Sequence, residues 1–327
     1  MIALCADDNS LLQKIATTVR NYRGITRKSS IALALPMFNL KKRNIIAAKG
    51  EDAAIVRSGD RMLALAVDGI MQELIEKNPH WAGYCSILAN VNDMLAMNAA
   101  PIAAVNVVSI RTERTARTII RGICSACSKF GVPMVGGHLH PDASFDSISV
   151  AMLGEVQDGK PLLSDSSWPG DRIVMICDCH GRFTAGIPYS WDCTSMKSQA
   201  AIKKNIKDFL GVVPYLTAGK DISNSGTLGS LAMLLEASRV GAQVDIQKIL
   251  LPEGVSLLQC LNAYQGFGFV GSVKEKHVRI ITDLLADSRL SISIIGEITA
   301  DKKLIIRSGK RRKLLFDFSR DKITGLF

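Results

Sequence analysis

Aromatic residues are scarce in this chain, at 6% of 327 residues, and long apolar runs are missing. Surfaces that stack nucleic-acid bases combine basic with aromatic side chains, and the basic stretches here lack that pattern. We therefore expect no nucleic-acid partner. The longest apolar run near the middle of the chain, residues 99–108, contains Pro101 and Asn106 and is too short to cross a bilayer. We therefore expect no membrane-spanning segment.

The N-terminus lacks the basic region that opens a secretory signal peptide, since the segment MIALCADDNS carries two acids instead. Eight cysteines among 327 residues are too sparse for the disulfide framework of a small secreted domain. A hydrophobic fraction of 47% with 21% charged residues is typical of a globular chain, and this length favours two domains over one. These observations predict a globular, cytoplasmic protein with reduced thiols.

Two short cysteine motifs would offer four sulfurs to a metal ion if the fold brought them together. They are Cys124-x-x-Cys127 and Cys177-x-Cys179. Cys124 lies in the helix-like run IIRGICSACSKF, and buried free cysteines are common in folded proteins. Buried thiols are therefore the favoured interpretation.

Acidic residues are absent from residues 9–50, although the chain as a whole carries 30 of them against 40 basic ones, a net charge of +10. Such a basic segment attracts phosphate groups. A second basic cluster, residues 302–313, is interpreted as solvated surface. The acid-free segment contains the following basic residues: Lys14, Arg20, Arg23, Arg27, Lys28, Lys41, Lys42, Arg43 and Lys49.

The apolar periodicity predicts two α/β units with mixed sheets. The segment GKPLLSDSSWPGD, residues 159–171, is rich in Gly, Pro and Ser and separates domains at 1–158 and 171–327. We expect an irregular segment at 24–48. The pattern predicts helices at 10–20, 80–98, 113–130, 197–210, 226–238 and 274–285, and strands at 51–57, 62–67, 103–110, 147–154, 172–177, 243–245, 267–273, 292–297 and 303–307.

Asp93 is the acid with the most unusual sequence context. It is the one formally charged residue between Lys77 and Arg111, and it lies among alanines at positions 89 and 96. A carboxylate in such surroundings is not an ordinary surface group, and if it is buried it needs a cation or strong hydrogen-bond donors. Asp93 is therefore a candidate metal ligand.

Three further acidic positions lie where strands or helices are expected to begin or end. Glu51 and Asp52 follow Gly50, Asp68 ends an apolar strand, and Asp221 precedes a helix. Mg²⁺ prefers carboxylates, waters and substrate phosphates as ligands. Each acid alone has an ordinary structural explanation, such as a helix cap at Asp221, but together they favour a metal site.

Two glycine motifs are ambiguous. In Gly136-Gly137-His138 the two glycines either allow a ligand to approach the backbone closely or form an ordinary tight turn. In the first interpretation His138 has a catalytic or substrate-orienting role. Residues 266–271 match the GxGxxG pattern of dinucleotide-binding proteins. They follow no convincing strand in a βαβ unit, so close approach of a neighbouring strand explains the glycines as well.

Five motifs come in the order seen in the AIR synthase-like ATP-binding superfamily. This group includes AIR synthase, thiamine-monophosphate kinase, selenophosphate synthetase and the hydrogenase maturation dehydratase. The segments RNYRGITRK and PYSWDCTSMK resemble the AIR synthase-related proteins of the methanogenesis marker protein 2 type, whose activity is unassigned and which are archaeal. The five motifs are GEDAAIV (50–56), VDGI (67–70), VNDMLAMNAAP (91–101), GVPMVGGH (131–138) and DISNSGTLGSLAMLLEAS (221–238).

The resemblance implies an N-terminal domain whose sheet pairs with that of a second subunit to form a barrel in a homodimer. It also implies ATP in a cleft, a basic N-terminal segment that closes over the phosphates, and catalytic roles for Lys28, Asp93 and His138. The implied metal ligands for Mg²⁺ are Asp52, Asp68, Asp93 and Asp221, and the implied ATP-binding residues are Arg27, Lys28, Asp52, Asp68, Asp93, Gly136 and Gly137.

The chain departs from its relatives at several motif positions. Asn224 stands where some relatives have a second acid, Glu51 stands where the pattern usually has Asp, and Cys5 lacks the glycine-rich loop of a selenophosphate synthetase. No activity of the group therefore transfers directly. We expect an Mg-ATP-dependent enzyme that phosphorylates an oxygen of a small anionic substrate.

Two other functions remain open. One is a nucleotide-binding subunit that regulates or assembles a larger complex, for which the cysteines and the basic 302–313 cluster are compatible with a partner protein. The other is a dehydrogenase that uses the GxGxxG motif, which the motif's context disfavours.

Overall fold

The computed structural model describes residues 8–38 and 40–327, so Cys5 lies outside the described residues. No helix in that part of the chain combines the length and the apolar character that a membrane span requires. The helices are α1 (Asp8–Arg20), α2 (Arg23–Thr26), α3 (Ile31–Ala34), α4 (Gln72–Lys77), α5 (Pro79–Ala96), α6 (Glu113–Phe130), α7 (Gln199–Val212), α8 (Gly226–Ser238), α9 (Leu257–Asn262) and α10 (Glu275–Leu284).

The strands form a six-stranded sheet, a seven-stranded sheet and a small hairpin. The fold is therefore of the mixed α/β class that the sequence predicts. The strands are β1 (Ile45–Ala47), β2 (Ala54–Ser58), β3 (Arg61–Gly69), β4 (Ala99–Ser109), β5 (Met134–His140), β6 (Ser147–Val156), β7 (Arg172–Cys177), β8 (Arg182–Phe183), β9 (Trp191–Asp192), β10 (Leu216–Asp221), β11 (Gly241–Asp245), β12 (Gly268–Val273), β13 (Ser291–Thr299), β14 (Lys303–Ser308) and β15 (Arg311–Asp317).

The first sheet has the order β1-β2-β3-β6-β4-β5, and its pairs are antiparallel except for β4 with β5. Helix α5 packs on one face, where it buries the predicted apolar residues Ile87, Val91, Met94 and Leu95. The strands alternate accordingly, since apolar side chains that point toward the helix are removed from water. This sheet does not close into a barrel within one chain.

The opposite face of the first sheet is apolar and open. Along β3, Ala64 and Ala66 are buried, whereas the alternate residues Leu65 and Val67 are 52% and 68% exposed. Val105 on β4 continues this surface at 43% exposure. Contiguous exposed apolar surface of this kind is unusual for a monomer and is typical of interaction surfaces.

The second sheet has the order β10-β12-β7-β13-β11-β14-β15, with one parallel pair, β11 and β14. Helices α1 and α8 pack on one face, and α7 lies on the other, where Phe209 stacks on Phe269 with ring centroids 3.8 Å apart. Phe209 and Phe269 belong to the same apolar core as α5. The two halves of the chain therefore share a core at their junction.

The N-terminal helix, which the sequence prediction places in a domain at 1–158, packs on the second sheet. Helix α1 buries Leu12, Ile15 and Val19 in the core of the second sheet. The Arg20 guanidinium donates to the carboxylate of Asp321, at 2.9 Å. The apolar stripe of α1 decides its position, because the second sheet offers the matching apolar face.

Several element boundaries differ from the sequence prediction. The strand expected at 51–57 begins at Ala54, so Glu51 and Asp52 lie in a loop. The expected irregular segment at 24–48 contains short helical turns and β1. Strands β5, β10 and β15 were not expected, because paired glycines in β5 and a glycine and a lysine in β10 weaken the strand signal.

Helices α5 and α6 cross at two glycines that allow direct backbone contact. A Cβ atom at Gly122 would lie 1.9 Å from the carbonyl oxygen of His80, and one at Gly83 would lie 2.1 Å from that of Ile119. Such distances are far inside van der Waals contact, so a larger residue at either position forces the helices apart. This crossing holds α5 in place beneath the first sheet.

We expect Gly122→Ala to destabilise the protein by roughly 2–3 kcal/mol, as overpacked cores do. Gly211→Ala is the matched control, because Gly211 is also helical but a Cβ there would meet no atom within 4 Å. The control should gain about 0.5–1 kcal/mol from reduced backbone freedom. Urea unfolding of both variants measures the difference, and equal stabilities would contradict the close-contact argument.

Candidate functional site

Three carboxylates meet at the junction of the two halves. Asp52, Asp93 and Asp221 each offer an oxygen atom, and these atoms all lie within 4.8 Å of one another. Asp52 comes from the loop before β2, Asp93 from α5 and Asp221 from the end of β10. Since α5 packs against β10, the fold brings together acids that are far apart in sequence. The structure thus joins three of the four predicted metal ligands.

The electrostatics of this cluster fit a divalent cation. Burial, followed by repulsion from neighbouring carboxylates, raises the pKa of Asp93 well above its usual value. The same two causes raise the pKa of Asp221. No ion pair with Asp93 occurs in the part of the chain that the structure describes. A set of close oxygen donors that repel one another is suited to Mg²⁺, which relieves the repulsion.

Lys220 is a site residue that the sequence prediction missed. Its ammonium group donates to the carboxylate of Asp52, and the two side chains are only 3% and 8% exposed. Burial alone would lower the pKa of Lys220, but attraction by Asp52 outweighs it and raises the pKa. The available signal was a lysine beside Asp221 in the apolar segment LTAGKD. This buried ion pair links the loop of the first domain to β10 of the second.

Lys28 and Asp68 line a cavity of about 110 Å³ beside the cluster, together with Asp221. Burial and the nearby ammonium of Lys220 lower the pKa of Lys28. Burial raises the pKa of Asp68, which Lys28 partly offsets. The basic segment therefore reaches the acids as expected, although its Arg27 is exposed and does not line this cavity.

The basic segment is seated closely on the second domain. A Cβ atom at Gly24 would lie 1.8 Å from the carbonyl oxygen of Asn224, so only glycine fits there. Ile25 is buried and packs against Gly229 of α8. These contacts place Lys28 over the cavity.

Two asparagines of the cavity carry unsatisfied acceptors. Asn92 donates to the carbonyl oxygen of Gly266 at 2.8 Å, while its own Oδ1 is buried and accepts no hydrogen bond from the described residues. The Oδ1 atom of Asn224 is in the same state. Because an unpaired buried acceptor is unfavourable, both positions favour a ligand with hydrogen-bond donors.

Glu51 has a different role from the neighbouring Asp52. Its carboxylate accepts a hydrogen bond from the backbone N–H of Ser164, at 2.9 Å, in the segment that joins the domains. Burial, opposed by Lys220 and Ser164, raises the pKa of Glu51 to about 7. The exchange of Asp for Glu relative to the usual motif therefore gives a side chain that reaches the interdomain segment.

Gly136, Gly137 and His138 are not brought to the carboxylates within one chain. They lie in β5, at the edge of the first sheet, and do not line the cavity. The residues Asp68, Val150, Asn106 and Gly137 pair in turn across neighbouring strands. This places Asp68 three strand spacings, about 14 Å, from Gly137. The expected roles of these residues stay predictions.

The other two candidate motifs have structural explanations. Among the described residues, the cluster with metal-ligand geometry is the acidic one, and the four cysteines at 124, 127, 177 and 179 form no such group. The expectation of buried thiols is wrong for Cys124, which is exposed, and the other three are partly buried. The GxGxxG glycines lie at and within β12, which is antiparallel to both of its neighbours. A Cβ atom at Gly271 would lie 2.5 Å from the carbonyl oxygen of Ala218. Close strand approach therefore explains this motif.

Comparison with known proteins agrees with this architecture. Residues 50–156 match the family model of the AIR synthase related protein N-terminal domain, and residues 169–309 match that of its C-terminal domain. An uncharacterized protein of Methanocaldococcus jannaschii is 38% identical over 96% of this chain and 99% of its own length. Selenide, water dikinase of Carboxydothermus hydrogenoformans is 23% identical over 82% of each chain.

A solved structure shares the fold at low sequence identity. Thermotoga maritima PurL complexed with ATP superimposes with a TM-score of 0.74 at 19% identity, covering 94% of this chain. This chain spans only 51% of the length of that protein. The two family-model matches, the order of the motifs and the shared fold lead to one conclusion: the chain belongs to the AIR synthase related family.

Proposed function

We propose that this protein is an Mg-ATP-dependent enzyme that transfers a phosphoryl group to an oxygen of a small anionic substrate. The observation that carries the proposal is the buried set of Asp52, Asp93 and Asp221, with Lys28 and Lys220 beside it. Phosphoryl transfer needs positioning and stabilisation of negative charge rather than covalent chemistry by the protein. Carboxylates that hold Mg²⁺, together with adjacent ammonium groups, provide both.

The residues would divide this work as follows. Asp52, Asp93 and Asp221 would hold Mg²⁺, which supplies charge neutralisation at the phosphates when it is bound. Lys28 would contact phosphate oxygens, since its ammonium is buried beside the cluster on a segment that closes over the cavity. Lys220 keeps the Asp52 carboxylate in place. Asp68 would orient Lys28, or provide a further metal ligand through water.

The relatives support nucleotide use without naming the substrate. One relative is a selenide, water dikinase, and the PurL structure is a complex with ATP. This chain covers about half of PurL, so the activity of the whole PurL protein is not assigned to it. A nucleotide-binding assembly subunit with little turnover is the second candidate, favoured by the exposed basic residues Arg311 and Arg312 on the β14–β15 hairpin.

The test of turnover is a screen for ADP release with Mg-ATP and a library of carboxylates, amides and phosphates. An acceptor that stimulates ADP release at least tenfold over the basal rate supports the enzyme. Nucleotide binding without stimulation by any acceptor would favour the assembly subunit instead.

We expect Mg-ATP to stabilise the folded protein and NAD to leave it unchanged. A ligand that binds the native state alone at about 100 times its Kd adds roughly 2.7 kcal/mol to the free energy of unfolding. Thermal unfolding with ATP, Mg-ATP and NAD measures this. Stabilisation by NAD but not by Mg-ATP would refute the proposal.

We expect Asp93→Asn to weaken Mg-ATP binding at least tenfold, about 1.4 kcal/mol. In EDTA the variant should be more stable than the parent by an amount on the order of 1–3 kcal/mol, because it removes a buried negative charge. Because the folded-state pKa of Asp93 is raised, this gain is absent below the ordinary pKa of an aspartate, grows as the pH rises above that value, and levels off once the pH exceeds the folded-state pKa.

Titration calorimetry and unfolding curves on the same Asp93→Asn sample separate the two effects. Asp60→Asn is the control, since Asp60 is an exposed turn residue. A stable Asp93→Asn protein with unchanged Mg-ATP affinity would remove Asp93 from the site.

We also propose a homodimer in which the open apolar face of the first sheet packs against its copy. Leu65, Val67 and Val105 supply this face, and His138 lies at its border beside Val107. In such a dimer, Gly136, Gly137 and His138 of one copy would contact the nucleotide bound by the other copy, if they contact it at all. The proposal accounts for apolar surface that one chain leaves in water.

We expect Val67→Glu to convert the dimer to a monomer, because a carboxylate in the middle of an apolar interface is left without a partner. Ile280→Glu on α10 is the control, because it places the same charge on an exposed apolar residue outside the sheet. Sedimentation velocity at micromolar concentration measures the change. A parent protein that is already monomeric would contradict the proposal.

A further inference from the structure

A second, apolar cavity adjoins the polar one. It measures about 50 Å³ and lies between the end of β7, the β8–β9 hairpin and the segment after α9. Its walls include the rings of Phe183 and Trp191 and the thiols of Cys177 and Cys260. The two cavities share Ile222 and Tyr264 as lining residues. The two cavities are therefore adjacent, and Ile222 and Tyr264 form the wall common to both.

The walls of the apolar cavity are held by specific contacts. The indole N–H of Trp191 donates to the carbonyl oxygen of Asp178 at 3.1 Å, and its ring lies 5.1 Å from that of Phe183. The thiol of Cys260 donates to the carbonyl oxygen of Leu250 at 3.2 Å. Tyr264 stacks on Tyr189 at 5.3 Å. A preformed cavity of this kind needs little reorganisation when it binds a ligand.

The lining carries no free charge. Burial raises the pKa of Cys177 well above its usual value and that of Cys260 to about 12, so both thiols stay neutral. The carboxylate of Asp178 is already bound by Lys197 and by the amide of Asn205. A charged or strongly polar group would therefore lose its hydration in this cavity without a partner.

We infer that the acceptor substrate carries an apolar group, a small ring or a short hydrocarbon chain, that occupies the cavity between Trp191 and Cys260. Its anionic end, with the oxygen that accepts the phosphoryl group, lies in the polar cavity near Lys28 and Asp221. This inference rests on the proposed function. The adenine base is a poorer occupant, because its polar edge needs partners and the polar wall groups described above are already hydrogen-bonded.

The size of the cavity limits the apolar group. A volume of about 50 Å³ accommodates a few non-hydrogen atoms rather than a fused ring system. Each buried methylene strengthens binding by about fourfold, so even a short chain gives marked selectivity. The enzyme should therefore distinguish its substrate from a purely polar anion of the same charge.

The test compares phenylacetate and hexanoate with acetate, which share one carboxylate and differ in the apolar group. Titration calorimetry with MgCl₂ present and nucleotide absent should give a Kd for phenylacetate or hexanoate at least tenfold lower than that for acetate. A change in tryptophan fluorescence on addition of phenylacetate that is lost in Trp191→Phe locates the binding. Equal affinity for all three acids would overturn the inference.

Variants of Ala263 fill the cavity, since this half-buried residue lines it. Ala263→Leu should abolish the preference for the apolar acids and leave the affinity for Mg-ATP unchanged. Ala263→Ser is the size-matched control and should keep the preference. Val255→Trp fills the opposite wall and serves if Ala263→Leu does not fold. A preference that survives in every folded cavity-filling variant would overturn the inference.

The same measurements separate this inference from the proposed function. A preference for apolar acids in a protein that does not bind Mg-ATP would refute the function and keep the cavity as a binding site. Mg-ATP binding without any preference would refute the inference alone. Displacement of phenylacetate by AMP would show that the cavity holds the nucleobase, which also overturns the inference.

Discussion

The repulsion among Asp52, Asp93 and Asp221 is the constraint on which the rest of the structure depends. Three buried carboxylates within 4.8 Å are unfavourable without nearby positive charge. Lys220 supplies part of it by pairing with Asp52, and the same ion pair fixes the loop before β2 against β10. The same ion pair therefore joins the two domains and partly neutralises the negative charge of the site. A cation at the carboxylates would complete the compensation that Lys220 begins.

The sequence predicted this cluster where a residue stood out from its surroundings. Asp93 was recognisable because charge is absent around it, and the structure buries its side chain in α5. Lys220 was not found, because a single lysine in a short strand resembles an edge residue until the partner strand is known. Its neighbour across the domain junction, Asp52, is 168 residues away in sequence. Long-range pairing of this kind leaves no local pattern.

The assignment of helices to domains could be predicted from the sequence only in part. The Gly-, Pro- and Ser-rich segment at 159–171 lies between the last strand of the first sheet, which ends at Val156, and the first strand of the second sheet, which begins at Arg172. The same composition rule assigned α1 to the nearer sheet, whereas its apolar stripe packs on the distant one. Likewise, the order of motifs gave the fold but not the position of His138, which the strand order places at the far edge of the first sheet. Packing partners and strand order are properties of the whole chain.

The position of α1 has a consequence for the basic segment that follows it. Because α1 packs on β14 and β15, the basic segment at residues 23–34 starts from the second domain. It places Lys28 beside Asp68 of the first domain and Asp221 of the second. In this position, burial followed by repulsion from Lys220 lowers the pKa of Lys28. Phosphate groups between the two ammonium groups would remove this repulsion. An anion in the cavity would therefore favour the position of Lys28 that the structure shows, and such an interaction is strongest in a site from which water is excluded.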